Sequence, residues 1–150
     1  KKGEYMYNTI LVPIDVTEDA LTNLLVPHVN SLQKLNNATV HFLAVTAPIS
    51  NYLRYGGTIL PGDFPDDAKQ AELILAELKE KIKLFSVPAD KVHAKATIGS
   101  VKDEIIAVAE DINADIILLG SRRPSMSTYL LGSNAASVVR YAKTSVLVVR

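Results

Sequence analysis

Four segments of this chain are short apolar runs rather than alternating ones, and that property most restricts what it can build. Thr9 to Ile14, Thr39 to Val45, Asp115 to Leu119 and Thr144 to Val149 place apolar side chains on both faces of any strand they form. Such strands must be covered from both sides. Between them lie apolar stripes at helical spacing: Leu21, Leu24, Leu25, Val29, Leu32 and Leu35, then Ala71, Ile74, Leu75, Leu78, Ile82 and Phe85. Two further stripes are Val101, Ile105, Val108, Ala109 and Ile112, and Ala135, Val139 and Ala142. A fifth strand, with Val92, Ala94, Ala96 and Ile98 alternating with polar neighbours, belongs at a sheet edge. Strands alternating with helices in this way predict an open, five-stranded parallel sheet with helices on both faces.

Local signals mark the element ends. Thr17 is expected to cap the first helix, and Pro27 to kink it. Pro65, with Asp66 and Asp67, opens the second helix, and Lys79, Lys81 and Lys83 close it in agreement with the helix dipole. Pro88 to Asp90 forms a turn, and Ser100 with Asp103 reads as a capping box for the third helix. Thr46 to Asp63 is too long for an ordinary connection and is a candidate lid, with Tyr52, Arg54 and Tyr55 available to stack on a base.

The 150 residues suit one domain, 1–150, able to bury roughly 70% of its unfolded surface. Met6 is read as the natural start, with residues 1–5 appended, an expectation that an intact mass would check. The absence of cysteine excludes disulfides, thiolate metal sites and thiol nucleophiles, and fits a reducing compartment. Sixteen basic side chains balance sixteen acidic ones, so there is no general field to attract nucleic acid or anionic lipid. No apolar run approaches the ~20 residues that span a bilayer, and the amino end lacks a secretory core. A cytoplasmic protein is expected.

In open parallel sheets, ligands bind beyond the carboxyl ends of the strands, where the strand order reverses. The residues just after the strands are Asp15, Val45 with Thr46, Gly99 with Ser100, and Gly120, Ser121, Arg122 and Arg123. The last group, with Gly132 and Ser133 opening the final helix, supplies what a phosphate needs: approachable backbone N–H groups, a hydroxyl, cations and a positive helix end. The familiar phosphate loops are absent, because neither GxGxxG nor GxxxxGK[ST] occurs. A response-regulator receiver needs an Asp after the third strand, where Ile98, Gly99 and Ser100 stand instead.

Thr9 to Asp15, Ile98 to Ser100, Gly120 to Pro124, Thr128 to Ala136 and Thr144 to Val149 together resemble a universal stress protein, over residues 7 to 150. The Arg-Pro form of the loop after Gly120 is similar to the F/G-type subgroup. That resemblance implies strand order 3-2-1-4-5 in a Rossmann-like sheet akin to the adenine nucleotide α-hydrolases, with ATP across the crevice between strands one and four. Pro13, Ile14 and Asp15 would then border base and ribose, and Val45 would flank the adenine. Gly120, Ser121, Arg122 and Arg123 would line ribose and phosphates, while Gly132, Ser133, Asn134 and Ala135 present the helix start to the phosphate chain. Asp15 would accept a ribose hydroxyl or share Mg²⁺ with the nucleotide. ATP-binding members carry Gly-x2-Gly-x9-Gly-Ser here. Arg123 occupies the middle glycine's slot, beside Pro124, and Gly120 to Gly132 is one residue shorter than the pattern. A guanidinium supplies charge there in place of backbone approach.

The resulting expectation is an adenine-nucleotide-binding stress protein, holding ATP, ADP or AMP and hydrolysing little or none. The alternatives are an interaction module that has lost the ligand, or a slow ATPase using Asp15. Ser121, Ser125 and Ser127 have no His/Asp arrangement that would activate them. His28, His41 and His93 share no spacing and are assigned no role. The apolar strand Thr144 to Val149, at the other sheet edge, predicts a homodimer through that edge, as the resemblance also implies. A charge at Val146 or Val148 is the sequence-level test of that contact.

Overall fold

The computed structural model describes residues 6–48, 66–121 and 131–150. The candidate lid with Tyr52, Arg54 and Tyr55, the helix start at Pro65, the segment with Arg122, Arg123, Ser125 and Ser127, and residues 1–5 lie outside the described residues. In chain order the elements are β1 (Thr9–Pro13), α1 (Asp19–Asn36), β2 (Thr39–Thr46), α2 (Asp67–Ile82), β3 (Val92–Ile98), α3 (Val101–Asp111), β4 (Ile116–Gly120), α4 (Ser133–Tyr141) and β5 (Ser145–Val149). A short 3-10 turn at Ala89–Lys91 follows Pro88.

All strand pairings are parallel, in the order β3-β2-β1-β4-β5. At the centre of the sheet, β1 has a neighbour on each side and both faces covered, and Ile10, Leu11 and Val12 are each 0% exposed. Because strand side chains alternate, its unbroken apolar run feeds two cores at once. Ile10, Val12, Val40, Phe42, Ile116 and Leu118 pack on one face against Leu25 and Val29 of α1 and Leu78 of α2. Leu11, Leu43, Ile117 and Leu119 pack on the other against Ile105 and Val108 of α3 and Val138 of α4. Edge strand β3 keeps the alternating exposure predicted for it over His93, Ala94 and Lys95.

Four local expectations are corrected. Thr17 does not cap α1: its N–H and Oγ1 both donate to Asp15 Oδ1, at 3.0 and 2.6 Å, and Glu18 is the N-cap, without a side-chain cap bond. The carboxylate captures the N–H two residues on before the helix can use the hydroxyl. Ser100 is the N-cap of α3, but its side chain makes no cap bond. Leu35 points outward, 72% exposed, because α1 buries a stripe through Thr22, Leu25, Val29 and Gln33. Asp66 is the N-cap of α2 rather than a first-turn residue, accepting from the Lys69 N–H at 2.8 Å. Helix α1 contains Pro27 and continues through it to Asn36, where Asn37 ends it in the left-handed conformation at φ 52°.

The sheet's amino edge is tied by side chains. Asp115 Oδ2 accepts from the backbone N–H groups of Asn8 and Thr9, both at 2.9 Å, and Thr144 Oγ1 donates to the carbonyls of Ala114 and Asp115. These bonds set the start of β1, β4 and β5 in register, and so align their carboxyl ends at the opposite edge. Among the described residues no helix is long and apolar enough to cross a membrane.

Candidate functional site

Strands β1 and β4 are neighbours, and the chain leaves them toward opposite faces of the sheet, into α1 and α4, which opens a crevice beyond their carboxyl ends. The cavity there is about 460 Å³, within the range of small-molecule sites. Pro13, Ile14 and Asp15 come from the end of β1, Val45 from the end of β2, and Gly120 and Ser121 from the end of β4. Gly132, Ser133, Asn134 and Ala135 enter from the start of α4. The structure thus brings together the residues assigned to the ligand among those it describes, whereas Thr46, Gly99 and Ser100, also just after strands, do not line the crevice.

Ser121 shows how the sequence assembles this arrangement. Its N–H donates to the Val149 carbonyl and its carbonyl accepts from the Gly132 N–H, both at 2.9 Å. Ser121 is 6% exposed, so these bonds are shielded from water. One residue therefore joins the ends of β4 and β5 to the first turn of α4. Because Ala135 and Val138 are buried in the core under β4, the helix is locked with Ser133 and Asn134 exposed at its start.

The first-turn N–H groups of Ser133, Asn134 and Ala135 have no acceptor within the helix, and the Gly132 N-cap has no side chain to supply one. They form a positive mouth at the crevice. The opposite side is apolar, lined by Ile14, Leu43, Val45, Val101 and Ile105. An apolar slot at one end and bare N–H donors at the other suit a ligand with a flat ring system and an anionic tail. Asp15 carries the site's negative charge near β1, with Oδ1 already accepting from Thr17. Among the described residues no group of three or more His, Asp or Glu side chains could hold a metal. A divalent ion here would rely on Asp15 together with oxygens of the ligand itself.

Glu18, Leu21, Leu43, Val101, Ile105 and Leu119 also line the crevice, and reading the sequence for post-strand residues missed them. Leu43 and Leu119 are core residues whose last carbon layer forms the floor. Leu21 reaches the crevice over Gly120, where an added Cβ would meet its Cδ1 at 2.3 Å, a contact that no spacing in the sequence reveals.

Residues 6–150 match the sequence pattern of the Universal stress protein family. The chain belongs to this family. Universal stress protein G of Escherichia coli O157:H7 is 36% identical over 150 residues, covering 97% of this chain and 100% of that protein, which places the similarity with the G type. A universal stress protein solved in complex with cAMP has a TM-score of 0.67 at 22% identity, covering 97% of this chain and 98% of its own. One from Archaeoglobus fulgidus in complex with dAMP has a TM-score of 0.58 at 16% identity, covering 97% of this chain and 100% of its own. These two share the universal stress protein fold, and the strand order implied by the resemblance is the order observed.

Proposed function

We propose that this universal stress protein binds an adenine nucleotide, ATP in the first instance, in the crevice between β1 and β4. It acts as a ligand-dependent cytoplasmic stress-response protein rather than an efficient hydrolase. The observation that carries this reading is the uncapped amino end of α4 opening onto an apolar slot at the switch point of the sheet. The helix start offers N–H groups and partial positive charge to phosphate oxygens. Ile14, Val45 and Val101 offer the adenine a water-poor slot. The cAMP and dAMP complexes of proteins with the same fold agree with an adenine nucleotide as the class of ligand.

Asp15 stands beside this path as the acceptor for a ribose hydroxyl, or as a ligand to Mg²⁺ that arrives with the phosphates. A bound Mg²⁺ would neutralise phosphate charge. Asp15 itself is held in place by Thr17 and orients what it touches. Arg122 and Arg123 are assigned to the phosphate end on the family resemblance. The β5 edge is assigned to a homodimer.

The test is to denature protein purified without added ligand, identify any released nucleotide by chromatography and mass spectrometry, and titrate the emptied protein with MgATP by calorimetry. Release of an adenine nucleotide, or saturable one-to-one binding, is expected. No released nucleotide together with no binding heat for MgATP, ADP or AMP would overturn the reading and leave the interaction module.

A further inference from the structure

His41 and His93 are far apart in sequence, but the parallel register of β2 and β3 sets them opposite each other, with ring centroids 4.5 Å apart and planes 13° from parallel. They line a second cavity, about 210 Å³, on the sheet face that α3 covers. His93 is exposed at the sheet edge, whereas His41 is half-buried, with Val108 and Ile112 of α3 over it. Lys95 joins them in the lining, and no carboxylate does. This cavity and the crevice share parts: Leu43 lines both, and α3 reaches both, through Val101 and Ile105 near its start and Val108 and Ile112 at its end. We propose that the stacked pair is an acid-release device, in which proton uptake at His41 lifts α3 from β2 and withdraws Val101 and Ile105 from the apolar slot, so that the crevice lets go of its ligand. The effect on the ligand rests on the nucleotide reading above; the movement of α3 does not.

The surroundings of His41 favour this outcome. Leu11 of β1 and Leu43 of β2 carry no charge. From β3 come His93 and Lys95, and Lys91 precedes that strand outside the lining. From α3 come Val108 and Ile112; its Lys102, Asp103, Glu104, Glu110 and Asp111 lie outside the lining, and Glu110 is engaged by Lys143 at 3.7 Å. A proton on His41 therefore finds a stacked imidazole and an ammonium beside it, and no counter-ion. The negative end of the α3 dipole alone favours the charge. Burial and the neighbouring His93 prevail over it and lower the His41 pKa below its ordinary value. His93 and Lys95 already reach solvent, so hydrating a charged His41 requires only that its cover move. That cover is an 11-residue helix held by its own hydrogen bonds, which tilts as one piece. Once α3 lifts, water reaches the ring and its pKa returns to ~6.5. The open form thus takes the proton first, so the closed form keeps its full advantage above pH ~6.5 and loses it as the pH falls below that value. One unit lower, at pH ~5.5, a single proton raises the opening equilibrium by up to about tenfold.

In the nucleotide-free full chain, hydrogen exchange of the α3 amides, corrected for the intrinsic pH dependence of exchange, should lose up to about tenfold in protection between about pH 7.5 and 5.5. His41→Gln, which takes up no proton, should hold that protection constant. His93→Gln, at an exposed position, should shrink the loss without abolishing it, since burial of His41 persists. ATP affinity by calorimetry should fall over the same range more in wild type than in His41→Gln, a comparison that cancels protonation of the nucleotide itself. Constant protection in wild type, or an equal loss in His41→Gln, would overturn the proposal; if His41→Gln does not fold, an undiminished loss in His93→Gln overturns it instead. Opening of α3 in acid, with ATP affinity tracking that of His41→Gln, would overturn the link to the crevice. Opening in acid with no adenine nucleotide bound at either pH would uphold the movement and overturn the nucleotide reading alone.

Discussion

A single missing methyl group fixes the shape of the crevice beyond β1 and β4. Gly120 ends β4 directly beneath Leu21 of α1, and an added Cβ would approach Leu21 Cδ1 to 2.3 Å and Cγ to 3.0 Å. Leu21 lines the crevice, so a side chain at position 120 displaces it into the ligand's space. Gly120→Ala should destabilise the protein by about 1–3 kcal/mol in urea unfolding, as overpacking does, and should weaken nucleotide binding. Adding Leu21→Ala removes the clash, so the double variant should recover binding relative to Gly120→Ala, a coupling that a double-mutant cycle measures directly. Additive losses would mean that Gly120 serves the backbone of β4 and not the space above it. The sequence marked Gly120 as a phosphate-loop glycine. It could not show that the atom competing for that space comes from α1, because no local pattern encodes contact across the sheet.

At the scale of elements, what could be read from the sequence followed from periodicity, and what could not followed from pairing. Apolar runs located β1, β2, β4 and β5 to within a residue or so at each end, and alternation marked β3 as an edge strand. Side-chain capping was less legible, because Asp15 and Thr17 satisfy each other before α1 begins, a competition between equally good local bonds. The stacking of His41 on His93 was invisible, since it depends on the register between β2 and β3 rather than on spacing along the chain. The start of α4 was legible, and it allows a test confined to backbone chemistry. Gly132 is extended, at φ −62° and ψ 155°, as a residue before proline must be, and Ser133 is the first helical position, where proline is tolerated. Ser133→Pro should therefore keep the helix and remove one N–H from the phosphate mouth. Affinity for ATP should fall by roughly 1.5–3 kcal/mol, the usual strength of a hydrogen bond to a charged group. Ser133→Ala keeps the N–H and serves as the control that isolates the hydroxyl. Equal affinity in wild type and Ser133→Pro, by calorimetry, would show that phosphates do not use this helix start.

At the scale of the whole molecule, the sheet has two edges with different characters. On β3, His93 and Lys95 are exposed, polar and chargeable, which discourages strand addition. On β5, Ser145 to Val149 carries no charged side chain, and Leu147 is 37% exposed with Val139 and Tyr141 of α4 exposed near the same end of the chain. An unprotected apolar edge on a protein of zero net charge favours self-association. The structure also changes how that contact must be tested. Val146 and Val148 pack into the core shared by α3 and α4, so a charge there would unfold the strand rather than report on its edge. Leu147 faces the other side and is accessible. Leu147→Lys should leave the monomer fold intact by circular dichroism and shift the sedimentation mass from dimer toward monomer, because a lysine on an edge strand is costly to bring against its own copy across a two-fold axis. Since the carbonyl of Val149 at the end of β5 accepts from Ser121, which also holds the start of α4, a dimer through β5 would brace the proposed nucleotide crevice as well. The Leu147→Lys monomer should therefore bind ATP more weakly than the wild-type dimer, whereas a monomeric wild type, or an unchanged sedimentation mass in the variant, would remove β5 as the interface.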